Sequence, residues 1–533
     1  MTGISKGPIR LFQRFSSTTT TFTAKATPSK DHLHSPIPKE FFPKGYLLTG
    51  IHAGIKKARP DQSSPPLDLA IVLSTSPHPT AAAACFTLNA FRAAPVLVSR
   101  NVLDNSNGHA RAVVVNSGCA NAVTGKKGIE DAWSMVRAGD ALLRAHGFAS
   151  TISEQPTTTT NETLVMSTGV IGVNLPITAI VNAIHTQSDP SSPTYALAST
   201  PTAWDATARA FMTTDTFPKL RARTFQINGS TYRMAGMDKG AGMIHPRMVG
   251  PDSLPTSLHA TLLGLILTDA PVSPRSLQSA LSHAVDRSFN SISVDGDMST
   301  NDTIIALANG AGIPNERKVE EIDEVTDPDA YNIFRDELTT FAIDLAKLVV
   351  RDGEGATKFV EVSVENAASY ADAHAIASTI STSALVKTAL YGEDANWGRI
   401  LSSTGSAILS TPLDPLTVSV SFVPSSPADS TPTPLPVLIN GEPAGVDEAR
   451  ASEILGQDDF GIVVDLGGQG VGGKERAKYW TCDFSYVSLL KSSGGVHLLI
   501  SVVRCRNTSG SMEIIVVETV CTASAEYRNP ELG

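Results

Sequence analysis

The stretch HATLLGLILTD, residues 259–269, decides how the chain folds and what chemistry it can perform. Leucine and isoleucine fill residues 262–267 on nearly every side, which predicts a buried core helix with Thr261 as its cap. A second interpretation makes Thr261 a nucleophile, because cleavage before it would turn its own α-amine into the base that a threonine hydroxyl needs. The small Ala260 would leave the carbonyl at that peptide accessible. These residues alone favour the helix cap.

Length and composition limit the classes of protein that the chain can belong to. The 533 residues predict two or three compact units, and a hydrophobic content of 41% allows a sizeable core. The net charge is −10 and no long basic run occurs, so nucleic acid is not an expected partner. Every apolar stretch is shorter than the ~18 residues that a membrane-spanning helix needs. We therefore expect neither a nucleic-acid nor a membrane partner.

The cysteines argue against a metal site and against a disulfide framework. Their number is odd, their spacing is wide and no C-x-x-C occurs among Cys85, Cys119, Cys482, Cys505 and Cys521. The pattern predicts a reducing compartment and no metal.

The first thirty residues differ in composition from the rest. They contain arginines and lysines, are rich in serine and threonine, and no acidic residue occurs before Asp31. This pattern is typical of a mitochondrial presequence, which predicts a location in the mitochondrial matrix. A disordered tail is the alternative.

Strands and helices alternate along the chain. Short β-branched runs ending in serine or glycine predict buried strands at residues 67–74 and 110–118. Helical periodicity followed by a glycine predicts a helix over residues 128–147, and Ser273 with Pro274 predicts the N-terminus of another. The class is therefore α/β or mixed α+β.

A glycine-rich segment, residues 462–475, contains G-x-G-x-x-G and G-x-x-x-x-G-K patterns. A phosphate-binding loop of the second type needs Ser or Thr after the lysine, and Glu475 stands there. We expect a plain glycine-rich connection and no nucleotide cofactor.

Several short sequence blocks, taken together and in their order, resemble a known protein family, although no single block is specific enough alone. From about residue 44 to residue 486 the chain resembles the glutamate N-acetyltransferase/ornithine acetyltransferases of arginine biosynthesis, the ArgJ family, and its length and start look like the fungal mitochondrial form. The blocks are VVVNSGCANAVTGKKGIEDA, VMSTGVIG, FMTTDTFPK, MDKGAGMIHP, HATLLGLILTDA, SFNSISVDGDMSTNDTIIALANG, RDGEGATK and LVKTALYGEDANWGRI.

The resemblance implies a fold and a division of the chain. The fold would be α/β, an α+β sandwich of the ArgJ and DmpA type with a smaller C-terminal domain. Residues 1–30 would be the presequence, 37–260 an α chain, 261–486 a β chain, and 487–533 an atypical tail. Self-cleavage between Ala260 and Thr261 would produce the two chains, which stay together as a heterotetramer of two α and two β chains.

The resemblance also implies a catalytic set. Thr261 corresponds to the nucleophile, and Thr168 with Gly169 corresponds to the pair that stabilises the oxyanion of the tetrahedral intermediate. A hydroxyl and a backbone N–H are suited to that role. Without the resemblance, the sequence STGVIG around them would predict only a turn at the end of a strand.

Substrate-binding positions follow from the same blocks. The resemblance assigns substrate contacts to Thr213, Lys239, Thr261 and Glu354. Lys239 is a point charge suited to a carboxylate, and Glu354 is suited to an α-ammonium group. The neighbouring Thr214 remains an alternative to Thr213. The acidic block at residues 290–303 lacks the spacing of a calcium loop, and we expect it to be structural or pocket-forming.

The C-terminus departs from the family pattern. About forty residues separate Tyr486 from the final SAEYRNPELG, so Ser524 and Asn529 stand where the family has an asparagine and a threonine that bind substrate. The residues Val-Ser directly after Tyr486 are what a splice donor would encode. We therefore hypothesise that the coding sequence given for this chain retains an intron. A transcript that ends shortly after Tyr486 would support this, and peptides from the forty residues in native protein would contradict it.

The implied reaction is a two-step acetyl transfer through an acetyl-threonine. N2-acetyl-L-ornithine would be the donor and L-glutamate the acceptor, without a cofactor, and the resemblance leaves open a second activity that uses acetyl-CoA. Two alternatives stay open. The first is a threonine-nucleophile amidohydrolase or aminopeptidase, in which water takes the place of the acceptor. The second is an inactive, uncleaved homologue.

Overall fold

The computed structural model describes residues 28–57, 64–149, 161–250, 262–313, 320–425, 433–467 and 473–485, together with the backbone of two further strands. Ala260, Thr261, Ser524 and Asn529 lie outside the described residues, as do the first 27 residues. No helix among the described residues is long and apolar enough to cross a membrane.

The first sheet is built by the early part of the chain. Its four strands lie in the order β1-β2-β4-β5, and only the β4–β5 pair is parallel. Their bounds are Tyr46–Ile51 (β1), Leu69–Ser74 (β2), Ala112–Cys119 (β4) and Thr163–Val170 (β5). The two strands predicted at residues 67–74 and 110–118 are thus confirmed, and β2 is buried along its whole length because the sheet is covered on both faces.

Helices cover this first sheet. The described α-helices before residue 250 are Ala94–Asn105 (α1), Gly125–Ala145 (α2), Ile177–His185 (α3) and Pro201–Phe211 (α4). The helix predicted over residues 128–147 corresponds to α2 and ends before Gly147, whose φ of 72° is the left-handed conformation that stops a helix.

The second sheet is central to the molecule. Its six strands lie in the order β6-β7-β9-β11-β3-β8. Their bounds are Ala81–Thr87 (β3), Lys219–Ile227 (β6), Ser230–Lys239 (β7), Met248–Val249 (β8), Leu263–Thr268 (β9) and Thr303–Ala308 (β11).

The prediction of a helix at residues 262–267 was wrong, because residues Leu263–Thr268 form the strand β9. The strand lies between β7 and β11, and every residue of it is buried. Leu263, Leu265 and Leu267 pack in the core that contains the first sheet, whereas Leu262 and Ile266 pack in the core on the opposite side of β9. A strand buried on both faces needs no polar alternation, so its sequence resembles that of a buried helix.

Helices Pro274–Asp286 (α5) and Pro328–Arg351 (α6) cover the far face of the second sheet. As predicted, α5 begins with Ser273 at the cap position and Pro274 in the first turn, although the Ser273 hydroxyl bonds to Ser276 and Asp323 instead of to a backbone N–H. Two sheets with helical layers are the sandwich-like α/β arrangement that the resemblance implied.

The second sheet also joins the two predicted chains. β3 and β7 lie before Ala260, while β9 and β11 lie after it. The ladders β7–β9 and β3–β11 therefore cross the predicted cleavage position with six residue pairs each. A cut between Ala260 and Thr261 would leave both ladders intact.

The last part of the chain forms a third sheet with its own hydrophobic core. The strand order is β10-β17-β12-β16-β13-β14-β15. The bounds are Ile292–Ser293 (β10), Phe359–Ala367 (β12), Ser419–Pro424 (β13), Leu435–Ile439 (β14), Glu442–Pro443 (β15), Asp459–Asp465 (β16) and Glu475–Cys482 (β17). The glycine-rich segment at residues 462–475 includes the end of β16, the connection and the first residue of β17. Its residues 468–472 lie outside the described part.

Four more helices accompany this sheet: Tyr370–Thr382 (α7), Ala384–Tyr391 (α8), Trp397–Ser406 (α9) and Glu448–Leu455 (α10). Beyond residue 485 only the backbone strands Val502–Arg506 (β18) and Met512–Val516 (β19) are described, and they pair with each other. The three cysteines whose side chains are described, Cys85, Cys119 and Cys482, are free and buried.

Candidate active site

The residues around the start of β9 locate the expected nucleophile. Leu262 directly follows Thr261 in the chain and directly precedes β9. Leu262 is fully buried. Its N–H donates to the carboxylate of Asp302, and its carbonyl accepts from Thr303 N–H at 2.9 Å. The backbone is thus held on both sides at the first described residue of the predicted β chain.

Asp302 is an unusual residue at this position. Its side chain is fully buried, and its Oδ2 has no hydrogen-bond partner among the described residues. Burial raises the pKa of this carboxyl well above its usual range, although the Leu262 N–H and the Lys239 ammonium act in the opposite direction. Buried polar atoms usually have hydrogen-bond partners, so this oxygen marks a place beside the expected cleavage position where a further polar group can bind.

Replacing Asp302 by alanine should lower the free energy of unfolding by about 1–3 kcal/mol, because the buried Leu262 N–H would lose its acceptor. Asp302→Asn keeps an oxygen for that N–H and resembles the neutral carboxyl that burial favours, so it should destabilise the protein much less. Urea unfolding of both variants beside the unsubstituted protein measures the difference. Equal losses in the two variants would contradict this view of the Leu262–Asp302 bond.

Thr168 and Gly169, the expected oxyanion pair, lie together near the end of β5. The Thr168 side chain is fully buried. Gly169 has a φ of 126°, and a Cβ there would lie 2.3 Å from the carbonyl carbon of Gly118, its partner on β4. Only glycine fits this close approach of two backbones.

Lys239 links Thr168 to the start of β9. It is the last residue of β7 and pairs with Leu263, while its Nζ donates to Thr168 Oγ1 at 3.2 Å. Burial lowers the pKa of this ammonium, and the carboxylate of Asp215 acts in the opposite direction. The structure therefore brings Thr168, Lys239 and the residue after Thr261 to one place.

Glu354 is placed beside the segment that follows Lys239. Its N–H donates to Ala241 O at 2.7 Å. A Cβ on Gly242 would lie 2.8 Å from the Glu354 carboxyl carbon, so the carboxyl group rests against the bare backbone of Gly242.

Thr213 joins the same group through Asp215. Thr213 N–H donates to Asp215 Oδ2 at 2.8 Å, and Asp215 Oδ1 accepts from Gly240 N–H at 2.8 Å. Thr213 is half-buried, whereas Thr214 is exposed. Of the expected site residues, the structure thus groups Thr168, Gly169, Thr213, Lys239 and Glu354, and the others lie outside the described residues.

Several residues of this region were not predicted individually. They are Asp215, Lys219, Asn301, Asp302 and Asp352. Asn301 Nδ2 donates to Ala120 O at 2.6 Å and to Ser167 O at 2.7 Å, so it ties the acidic block to the strand that carries Thr168. That block was expected to be structural or pocket-forming, and these bonds give it a structural role. The available signal was that Asp215, Asp302 and Asp352 each lie inside one of the blocks that carry the resemblance.

No group of three or more His, Cys, Asp or Glu side chains among the described residues is arranged to hold a metal ion.

Comparison with known protein families shows the family of this chain. A sequence model described as the ArgJ family matches residues 47–489. The chain belongs to the ArgJ family. Among ArgJ proteins it is similar to the "arginine biosynthesis bifunctional protein ArgJ, mitochondrial" of Postia placenta, with 63% identity over 476 residues, 89% of this chain and 96% of the relative.

Two further similar proteins are known. The protein of the same name from Coprinopsis cinerea is 63% identical over 486 residues, which cover 89% of this chain and 97% of that protein. Among solved structures, that of the arginine biosynthesis bifunctional protein ArgJ of Bacillus halodurans is 36% identical, with a TM-score of 0.36, and the match covers 42% of this chain and 96% of that one.

Proposed function

We propose that this ArgJ chain is a mitochondrial acyltransferase of arginine biosynthesis that moves the acetyl group of N2-acetyl-L-ornithine to L-glutamate. The names of relatives with 63% identity support this activity and location. The observation that carries the proposal is the meeting of Thr168, Lys239 and the start of β9 at one buried place.

The proposed mechanism begins with self-cleavage. The Thr261 hydroxyl attacks the carbonyl of Ala260, an N→O acyl shift follows, and water hydrolyses the ester. The new α-amine then accepts the hydroxyl proton while the threonine oxygen attacks the acetyl carbonyl. Ornithine leaves with a proton on its α-nitrogen, and the α-amine of glutamate attacks the acetyl-threonine in the second half-reaction.

Lys239 supports the oxyanion role that we propose for Thr168. A hydroxyl that accepts a hydrogen bond from an ammonium group keeps its own proton free to donate. The 3.2 Å bond from Lys239 Nζ therefore turns the Thr168 O–H toward other acceptors and makes it a better donor. Together with the Gly169 N–H it would stabilise the oxyanion of each tetrahedral intermediate.

We assign the site that contains Thr213, Lys239 and Glu354 to substrates that carry an α-carboxylate and an α-amine. Lys239 supplies a positive charge and Glu354 a negative one. Thr213 is favoured over the exposed Thr214 because it is half-buried and its N–H donates to Asp215, which also accepts from Gly240 N–H. Donor and acceptor are both α-amino acids with a charged side chain, so one pocket can serve both half-reactions.

Glutamate dependence separates transfer from hydrolysis. With N-acetylornithine alone, we expect at most one equivalent of ornithine per active site, and continuous release only after glutamate is added. A coupled ornithine assay with and without glutamate measures this. Continuous release at the same rate without glutamate would show an amidohydrolase instead.

The assembly and location are part of the same proposal. The two ladders across the cleavage position favour cleaved chains that stay together, and we propose two α and two β chains in the native enzyme. Sedimentation of the cleaved protein tests the first point, and detection of the protein in the matrix fraction of the mitochondria tests the second. A single α–β pair or a protein outside the organelle would contradict them.

A further inference from the structure

A buried ion triplet, which consists of Lys219, Asp215 and Asp352, is bonded to the segments that carry the expected substrate contacts. Lys219 Nζ lies 2.5 Å from Asp215 Oδ1 and 2.7 Å from Asp352 Oδ2. All three side chains have zero solvent exposure. A lysine between two carboxylates in a core is rare, because charged side chains are seldom fully buried.

The first carboxylate of the triplet holds two of the segments that carry expected substrate contacts. Asp215 accepts from the N–H of Thr213 and from the N–H of Gly240, each at 2.8 Å. Gly240 directly follows Lys239. One carboxylate thus fixes the distance between the backbone at Thr213 and the backbone at Lys239.

The second carboxylate reaches the third segment. Asp352 accepts from Thr216 N–H at 2.9 Å and from the Thr216 hydroxyl. Two residues later, Glu354 N–H donates to Ala241 O at 2.7 Å. The loop that carries Glu354 is therefore tied both to the Thr213 loop and to the segment after Lys239.

Neighbouring charges favour the ionised forms of Asp215 and Lys219. Burial opposes ionisation of Asp215, yet the ammonium groups of Lys219 and Lys239 keep the pKa of Asp215 below its usual value. Burial likewise opposes the charged form of Lys219, and the two aspartates keep the pKa of Lys219 above its usual value. Asp215 and Lys219 can therefore stay ionised although water is excluded.

Stability alone does not explain such an arrangement. A buried ion pair usually contributes no more net stability than apolar side chains of similar volume, because removal of the charges from water is costly. It does impose a fixed geometry on the groups that it bonds, and substrate sites need their contacting groups held to within a fraction of an ångström.

We propose that the buried ion triplet is the positioning unit of the substrate pocket, which sets the relative placement of Thr213, Lys239 and Glu354 without touching substrate itself. The proposal rests on the function given above. It predicts that loss of one triplet charge weakens substrate binding more than it slows the chemical step.

The test is the binding of L-ornithine to the full-length protein by titration calorimetry. Asp352→Asn should raise the Kd for ornithine about tenfold, since small misplacements of positioning groups have effects of this size or larger. In kinetics, KM for both substrates should rise by a similar factor while kcat changes by less than about threefold. The matched control is Asp459→Asn, which breaks the partly exposed ion pair of Arg351, the neighbour of Asp352, and should leave Kd unchanged.

A milder variant covers the case in which Asp352→Asn does not fold. Thr216→Val removes only the hydroxyl bond to Asp352 and keeps all three charges, and it should still raise the Kd measurably. Wild-type Kd and KM in a folded Asp352→Asn protein, or in Thr216→Val if the first is unfolded, would overturn the proposal. Failure of the proposed function would be seen separately, as a wild-type protein that binds no ornithine or transfers no acetyl group.

Discussion

Replacing Thr261 by alanine should leave the chain in one piece and abolish acetyl transfer. The substitution removes both the hydroxyl that attacks the Ala260 carbonyl and the oxygen that would carry the acetyl group. Denaturing electrophoresis with N-terminal sequencing of each band measures the cleavage. The unsubstituted protein should give two chains of roughly half length, one of which starts at Thr261.

Two controls make this result specific. Thr261→Ser keeps a hydroxyl and should still be cleaved and retain some activity. Thr256→Ala removes a threonine five residues earlier and should behave like the unsubstituted protein. A Thr261→Ala protein that is still cleaved at this peptide would mean that another protease makes the cut. An uncleaved chain without the substitution would favour the inactive-homologue interpretation.

Replacing Thr168 by valine should lower kcat by about 10²–10³, the usual effect of removing one oxyanion donor. Valine has nearly the shape of threonine, so the buried position can be filled without a cavity. The loss should be larger in kcat than in KM, because the hydroxyl would act on a charge that exists only in the transition state. Steady-state kinetics with varied N-acetylornithine give both constants.

The matched control for Thr168 lies in the same strand. Thr163 is also a fully buried threonine of β5, and its hydroxyl donates to Asp140 at 2.7 Å, away from the site. Thr163→Val should therefore cost stability but keep kcat near the unsubstituted value. If Thr168→Val reduced kcat only as much as Thr163→Val, the hydroxyl of Thr168 would not be the oxyanion donor.

The fold could be predicted from the sequence where local patterns are unambiguous. The strands at 69–74 and 112–119 and the helix ending before Gly147 have the β-branched content and the glycine stop expected of them. Residues 262–267 misled because a run of apolar residues is equally compatible with a buried helix and with a strand covered on both faces. The partners that decide the matter, β7 and β11, are distant in sequence.

The candidate site could also be predicted only in part from the sequence. The quoted blocks named Thr168, Lys239 and Glu354, and their roles remain predictions, but no local pattern could place Lys239 beside Thr168, which lies 71 residues earlier. The Leu262–Asp302 bond and the buried ion triplet depend on strand register and on loops that meet only in the folded chain. Sequence alone supplies the residue types, whereas their distances follow from strand register and from loop contacts in the folded chain.

The central claim is that Thr261 becomes a new N-terminus and carries the acetyl group. Intact-mass spectrometry of the separated chains tests it most directly, before and after addition of N-acetylornithine without glutamate. We predict that the chain starting at Thr261 gains the mass of one acetyl group, that fragmentation places it on Thr261, and that glutamate removes it. A cleaved chain that gains no acetyl group, or gains it at another residue, would contradict this account.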